Sequence, residues 1–153
     1  MKEGRPRPNQ NSPLSRLIRI DPRHPRVKLR TLKTSALPIV IYTYANCGTC
    51  RRAVKWLRAR GVEFVEKPVR ETPPSPAELR AMLRHQDGTL RKLFNTAGRD
   101  YRALGLGEKL AVMTEPEALA LLAANGNLVK RPFLLGADFG LVGFDETRWV
   151  RVL

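Results

Sequence analysis

The sequence has only two cysteines, no long apolar run and little negative charge, and each shortage excludes a class of protein. Because small secreted domains rely on many disulfides, two thiols in 153 residues favour a reducing compartment. The longest apolar stretch, near residues 36–45, contains Pro38 and is far too short to cross a membrane. The first 15 residues carry no apolar signal-peptide core. The sequence therefore predicts a cytoplasmic protein that does not engage a membrane.

Acidic residues are scarce, with 14 Asp and Glu against 28 Lys and Arg and a formal net charge of +14 at pH 7. The positive charge is concentrated near the N-terminus, where residues 1–36 also hold five prolines. High charge with few large apolar groups disfavours folding. We therefore predict a basic, disordered extension over residues 1–36 and a folded domain over residues 37–153.

Three interpretations of this extension remain open. It is expected to bind a polyanion weakly and non-specifically through phosphate contacts, or to act as a targeting segment, or to be a solvated tail or the result of a start codon placed too far upstream. We favour the last interpretation, because the prolines argue against an amphipathic targeting helix.

Both cysteines lie in the motif Cys47-Gly48-Thr49-Cys50, between a predicted strand and a predicted helix. Residues 39–44 are apolar and β-branched, which is typical of a buried strand. The apolar spacing that follows predicts a helix over residues 48–60. The motif is thus expected at a helix N-terminus, where free N–H groups and the helix dipole favour a thiolate. The sequence therefore predicts thiol chemistry.

The two cysteines are expected to play different roles. Cys47 should be the nucleophile in the loop or at the N-cap, and Gly48 should leave room for a substrate beside the backbone. Cys50 follows one turn later on the buried face, close enough to form a disulfide with the first thiol. Two alternatives remain open, namely two unreactive thiols and a zinc site whose further ligands would be His24 and His85.

Arginines near the motif have two interpretations. Arg51 and Arg52 follow the second cysteine directly and are expected to lower the thiol pKa. Alternatively, Arg51 belongs with Lys55 and Arg58 to a solvated basic stripe on the outer face of the helix.

The rest of the chain completes an α/β order. The remaining predicted elements are a strand over 62–66, helices begun by capping boxes at Ser75 and Thr114, short helices over 89–94 and 100–106, a hairpin formed by 133–135 and 141–142, and a final helix capped by Asp145. This order predicts a thioredoxin-like fold with a helical insertion.

In such folds a proline before the hairpin, here Pro132, faces the redox cysteine, with Arg131 beside it to reach Cys47 or an anionic substrate. The alternative is an ordinary turn proline with a surface arginine.

Several separated motifs resemble the arsenate reductase-like (ArsC-like) family, and within it the Spx-type regulators. The motifs are residues 42–51, Glu63-Phe64, residues 93–96, residues 130–133 and residues 142–144. The resemblance covers about residues 38–150 and leaves the N-terminal extension outside. It implies an ArsC-like thioredoxin fold over residues 37–153.

The resemblance also implies roles for single residues. It makes Cys47 the catalytic cysteine and Arg131 a catalytic arginine. The further candidates for binding the substrate or supporting the thiolate are Gly48, Thr49, Arg51, Asn95 and Pro132. Arsenate reductases of the family use two further arginines to hold the oxyanion, and those positions are Asn95 and Phe144 here. Efficient arsenate reduction is therefore not expected. Cys50 is similar to the second cysteine of the Spx redox switch.

Two functions follow from this pattern. The first is a thiol-dependent reductase that cycles between a dithiol and a Cys47–Cys50 disulfide, with no bound cofactor or metal. Its electron donor would be glutathione, thioredoxin or glutaredoxin. The second is a redox-switched transcriptional regulator that binds RNA polymerase through the alpha subunit, as the resemblance to Spx implies. We favour the reductase by analogy with the family, so enzyme and regulator both remain open.

Overall fold

The computed structural model describes residues 37–153, and the predicted extension over residues 1–36 lies outside them. The elements in chain order are β1 (Val40–Thr43), α1 (Gly48–Ala59), β2 (Val65–Pro68), α2 (Pro76–His85), a 3-10 turn (Leu90–Leu93), α3 (Arg99–Ala103), α4 (Leu106–Lys109), α5 (Glu115–Ala124), a second 3-10 turn (Gly126–Leu128), β3 (Phe133–Leu135), β4 (Gly140–Val142) and α6 (Glu146–Val150).

The four strands form one mixed sheet in the order β2-β1-β3-β4. β1 pairs in parallel with β2, with Val40 opposite Val65, and this parallel pairing requires the crossover that α1 supplies. β3 runs antiparallel to both β1 and β4, as expected for a hairpin added to the βαβ unit. The predicted thioredoxin-like α/β fold with a helical insertion is confirmed.

Hydrophobic side chains cover both faces of the sheet because neighbouring residues of β1 point in opposite directions. Ile41 packs with the apolar face of α1 and with Trp149 of α6. Tyr42 packs on the other face, with residues of α2, the helical insertion and α5. Both side chains are almost completely buried, at 0% and 1% exposure. β1 therefore lies between two core layers, and the loop after it carries the cysteine motif.

The predicted start signals of the helices are confirmed. The backbone N–H of Ser75 donates to the Glu78 carboxylate at 2.8 Å, and the Glu78 N–H donates back to the Ser75 hydroxyl. The N–H of Thr114 likewise donates to the side chain of Glu117 at 2.8 Å. Asp145 accepts the N–H of Arg148 at the start of α6. These local contacts fix where three helices begin.

The second strand was predicted at residues 62–66, and that position is wrong, because β2 spans Val65–Pro68. The N–H of Val62 donates to the carbonyl of Leu57, so the start of the predicted strand instead caps the C-terminal end of α1. Val62 and Phe64 pack against the core from the connection, which accounts for their alternation with polar residues. β2 itself is a largely exposed edge strand without such a pattern.

The two short helices predicted in the insertion have different bounds in the structure. The helix predicted over residues 89–94 is a 3-10 turn that spans Leu90–Leu93. The helix predicted over residues 100–106 is divided into α3 and α4 at Gly105, whose φ of 64° lies in the left-handed region.

A glycine after α5 packs directly against the end of β2. A Cβ added to Gly126 would overlap the carbonyl oxygen of Val69 and lie 2.6 Å from its carbonyl carbon. We expect Gly126→Ala to destabilise the domain by about 2 kcal/mol or more, because the backbone on both sides must shift. Thermal unfolding should show a melting temperature lower by about 5 °C or more.

Gly107→Ala is the matched control, since an added Cβ there meets nothing within 4 Å and lies inside α4. It should leave the melting temperature unchanged or raise it, because alanine is the better helix former. Equal melting temperatures for the two variants would contradict the close contact at Gly126.

Candidate active site

The cysteine motif begins α1, and its two thiols differ in exposure. Cys47 is the N-cap residue, and its sulfur accepts the backbone N–H of Cys50 at 3.4 Å. Its own N–H donates to the carbonyl of Tyr44, which closes the turn after β1. Cys47 is partly exposed, whereas Cys50 is 1% exposed, and both are free thiols in the structure. The sequence prediction of an outer and an inner cysteine agrees with this placement.

The surroundings of Cys47 favour its thiolate. Partial burial raises its pKa, but hydrogen bonds from the backbone and side chain of Cys50 and from the backbone of Thr49 lower it. The positive charge of Arg131 adds to the lowering, and the net effect is a pKa below the ordinary value for cysteine. Cys47 is therefore the thiol with the larger ionised fraction near neutral pH.

Cys50 has the opposite tendency. Burial, together with the hydrogen bond and the negative charge of the Cys47 thiolate, raises its pKa to about 12. A hydrogen bond from the Tyr44 backbone and the charge of Arg131 oppose this rise without cancelling it. Cys50 therefore remains protonated while Cys47 ionises.

Arg131 lies near enough to the motif for its charge to act on Cys47. The carbon of its guanidinium group is 5.1 Å from the centroid of the Tyr44 ring. Its Nη1 atom is buried and finds no hydrogen-bond partner among residues 37–153. The Arg131–Pro132 peptide bond is cis, and the carbonyl of Pro132 accepts the N–H of Gly143 at 2.8 Å.

We expect Arg131→Gln to raise the pKa of Cys47, because the thiolate loses a neighbouring positive charge. Alkylation of Cys47 by iodoacetamide, followed from pH 5 to 10, should reach its half-maximal rate at a higher pH and slow down at pH 7. Arg131→Lys should shift the midpoint less because it keeps the charge, and Arg52→Gln, on the exposed face of α1, should not shift it. An unchanged midpoint in Arg131→Gln would contradict the proximity of the two groups.

Arg51 contacts the loop rather than the thiol. Its Nη1 donates to the carbonyl of Ala45 at 3.4 Å, and it lies exposed on α1 together with Lys55 and Arg58. This placement agrees with the alternative of a solvated basic stripe. Gly48 is exposed as well, and an added Cβ would meet only the Arg51 guanidinium at 4.0 Å, so the space in front of Gly48 is open.

Asn95 and Phe144, the two positions at which the resemblance implies a loss of oxyanion-binding arginines, lie in different surroundings. Asn95 lines a cavity together with Arg131, and its amide donates to the carbonyl of Asn127 at 3.5 Å. Phe144 belongs to an aromatic cluster, with its ring centroid 4.9 Å from that of Trp149. The structure thus brings Asn95 and Arg131 together and places Phe144 against the core.

The same cavity contains two arginines that the sequence analysis did not select. Its volume is about 350 Å³, and it is lined by Arg70, Asn95, Gly98, Arg99, Asp100, Asn127 and Arg131. The guanidinium carbon of Arg70 lies 3.7 Å from the centroid of the Tyr44 ring. No local pattern could have identified this group, because its members come from the turn after β2, the insertion and the segment before β3.

Residues 37–153 contain no cluster of three or more His, Cys, Asp or Glu side chains that could hold a metal ion. His85 lies on α2 beside Gly140, and His24 lies outside the described part of the chain. No helix in residues 37–153 is long and apolar enough to cross a membrane.

Comparison with known proteins identifies the family. The model of the ArsC family matches residues 42–152. The chain belongs to the ArsC family. It is 44% identical over 113 residues to the uncharacterised protein YusI of Bacillus subtilis, which covers 74% of this chain and 96% of YusI. The resemblance to this family inferred from the sequence motifs is thereby confirmed.

Other relatives of this ArsC-family chain carry two kinds of name. The global transcriptional regulator Spx of Enterococcus faecalis is 28% identical, over 75% of this chain and 86% of its own length. Arsenate reductases are also among the relatives. A crystal structure of an ArsC family related protein from Bacteroides fragilis superposes with a TM-score of 0.71 at 38% identity, covering 76% of this chain and all of the other.

Proposed function

We propose that this protein is a thiol–disulfide oxidoreductase in which Cys47 attacks the substrate and Cys50 resolves the intermediate. The observation that carries the proposal is the asymmetry of the two thiols at the start of α1. Cys47 is accessible, accepts N–H groups and has a lowered pKa, whereas Cys50 is buried beside it with a raised pKa. Such an arrangement suits attack by the outer sulfur and release by the inner one.

The proposed reaction transfers two electrons. The Cys47 thiolate attacks one sulfur of a small disulfide, forms a mixed disulfide and releases the first product thiolate. Cys50 loses its proton and attacks the Cys47 sulfur, which releases the second product thiolate and leaves the Cys47–Cys50 disulfide. One substrate disulfide and two protein thiols thus become two product thiols and one protein disulfide.

The return step needs an external reductant of the thiol class. Two molecules of glutathione, or a dithiol protein such as thioredoxin or glutaredoxin, would reduce the Cys47–Cys50 disulfide by the same exchange chemistry. No bound cofactor takes part in the proposal. This requirement fits a reducing compartment such as the cytoplasm.

The test is to treat the reduced protein with an excess of hydroxyethyl disulfide and measure its mass and free thiols. The expected product has lost two hydrogen atoms and both free thiols, because the disulfide is intramolecular. Thioredoxin with its reductase, or glutathione, should then restore both thiols repeatedly. A stable product that keeps two added groups, one on each cysteine, would contradict the proposed resolving role of Cys50.

A second candidate is a redox-switched regulator of transcription, and the relatives named Spx and MgsR favour it. A regulator needs a protein-binding surface, and Val112 and Leu104 are exposed apolar residues, at 86% and 40%. The partner implied by the resemblance is the alpha subunit of RNA polymerase. Purified alpha subunit should bind one redox form of the protein much more tightly than the other if this candidate is right, and neither form if the protein is only a reductase.

A further inference from the structure

The cavity beside Arg131 carries more positive charge than its surroundings neutralise. Arg70, Arg99 and Arg131 line it, and Asp100 is the one acidic residue among its lining residues. Within residues 37–153 none of these three arginines forms an ion pair with a carboxylate at 4.0 Å or less. The buried Nη1 of Arg131 also lacks a hydrogen-bond partner in this part of the chain. The cavity therefore offers donors for an anion.

Asp100 is held by amides instead of by the arginines. Its carboxylate accepts the side-chain N–H groups of Asn125 at 3.2 Å and Asn127 at 3.1 Å. These hydrogen bonds, assisted by the charges of Arg99 and Arg70, lower its pKa, so it stays ionised at neutral pH. Asp100 offsets only one of the three guanidinium charges, so the cavity keeps a net positive charge. It therefore attracts an anionic group, which in a small organic disulfide is a carboxylate.

Two arginines of the cavity pack on Tyr44, which lies in the turn before the reactive cysteine. Arg70 and Arg131 both lie over the ring of this tyrosine, at 3.7 and 5.1 Å from its centroid. The carbonyl of Tyr44 accepts the N–H of Cys47, so the ring and the thiol belong to one turn. The close contact of Gly126 with the backbone of Val69 and Arg70 fixes the base of the Arg70 side chain. Arg131 lines the cavity and its charge acts on the Cys47 thiol, so a group bound at Arg131 lies near that thiol.

We propose that the cavity formed by Arg70, Arg99 and Arg131 binds a carboxylate of the small disulfide that reacts at Cys47. Guanidinium groups suit this role because their paired N–H donors match the two oxygens of a carboxylate. The inference rests on the proposed thiol–disulfide exchange and adds the class of substrate, namely a low-molecular-weight disulfide with carboxylate groups. Arg70 and Arg99 select this substrate, and they take no part in the bond exchange.

The test compares two disulfides of similar size, dithiodipropionate with two carboxylates and hydroxyethyl disulfide with none. The rate of oxidation of the reduced protein is measured with each, and the ratio of the two rate constants is the readout. We expect the ratio to fall about tenfold in the double variant Arg70→Gln/Arg99→Gln, since two charge-assisted contacts are lost. The single variants should show smaller decreases.

Arg102→Gln is the matched control, because Arg102 is an exposed arginine of α3 that does not line the cavity. It removes a charge near Arg99 and should leave the ratio unchanged. An equal decrease in this control would assign the preference to the overall positive charge of the protein and overturn the proposed site. A ratio that no variant changes would overturn it as well.

A second arm measures binding without any thiol reaction. S-methylglutathione carries carboxylates but cannot form a disulfide, and its titration should shift the side-chain N–H resonances of Arg70 and Arg99 saturably in NMR spectra. A titration that leaves these resonances unshifted would overturn the proposed carboxylate site. If the wild-type protein binds S-methylglutathione at these arginines but reduces neither disulfide, the proposed function fails while the cavity remains an anion site.

Discussion

Cys47→Ser is expected to lower the rate of disulfide reduction by at least about 1,000-fold, the largest effect of any substitution in the chain. The serine hydroxyl keeps the N-cap geometry of α1 but does not ionise near neutral pH, so the attacking thiolate is lost. Steady-state turnover with hydroxyethyl disulfide and a thioredoxin system measures the effect. Thermal unfolding of the same variant should be nearly unchanged, since serine is a good N-cap residue.

Cys50→Ser is the matched control for this experiment. It keeps Cys47, so the first exchange should still take place and release one product thiol per protein molecule. The variant should then accumulate the mixed disulfide on Cys47, because the inner thiol is no longer available to resolve it. If Cys50→Ser turned over like the wild type, the resolving role would be wrong, and if Cys47→Ser kept its activity, the attacking role would be wrong.

Arsenate reduction is expected to be absent or at most about a hundredth of the disulfide reductase rate, even with glutathione and glutaredoxin supplied. The family resemblance assigns the oxyanion to three arginines, and this chain keeps only Arg131. Asn95 is a neutral amide, and Phe144 packs edge-on against Trp149 and contributes no charge. A coupled assay that follows reductant consumption with arsenate measures the rate.

Asn95→Arg tests the reason for this prediction. The side chain lines the same cavity as Arg131, so an arginine there would add a charged donor close to the remaining one. Arsenate reduction should rise in this variant yet stay well below that of an arsenate reductase, because Phe144 is still neutral. Efficient arsenate turnover by the wild-type protein would contradict the interpretation of both positions.

The sequence predicted those parts of the fold that depend on contacts close along the chain. The capping boxes at Ser75 and Thr114 act over three residues, and both are present. The buried and exposed positions of Cys50 and Cys47 also follow from helical periodicity within one turn. The predicted position of β2 was wrong, because the residues of this exposed edge strand show no alternation of apolar and polar side chains.

The two thiols and Arg131 of the candidate site were predictable from the sequence, whereas Arg70 and Arg99 were not. Cys47, Cys50 and Arg131 stand in recognisable motifs, and the fold brings them together. Arg70 and Arg99 lie in segments without a distinctive pattern. They line one cavity only because the fold brings together the turn after β2, the helical insertion and the segment before β3. Tertiary packing, such as the contact of Gly126 with Val69, determines which of these distant segments lie next to each other.

The site of the first chemical modification tests the central claim most directly. The reduced wild-type protein is treated at pH 7 with less than one equivalent of iodoacetamide, and fragment ions of the peptide that contains both cysteines locate the adduct. Because the pKa of Cys47 is lowered and that of Cys50 is raised to about 12, nearly all of the label should be on Cys47. Equal labelling, or more label on Cys50, would contradict the assignment of Cys47 as the attacking thiol.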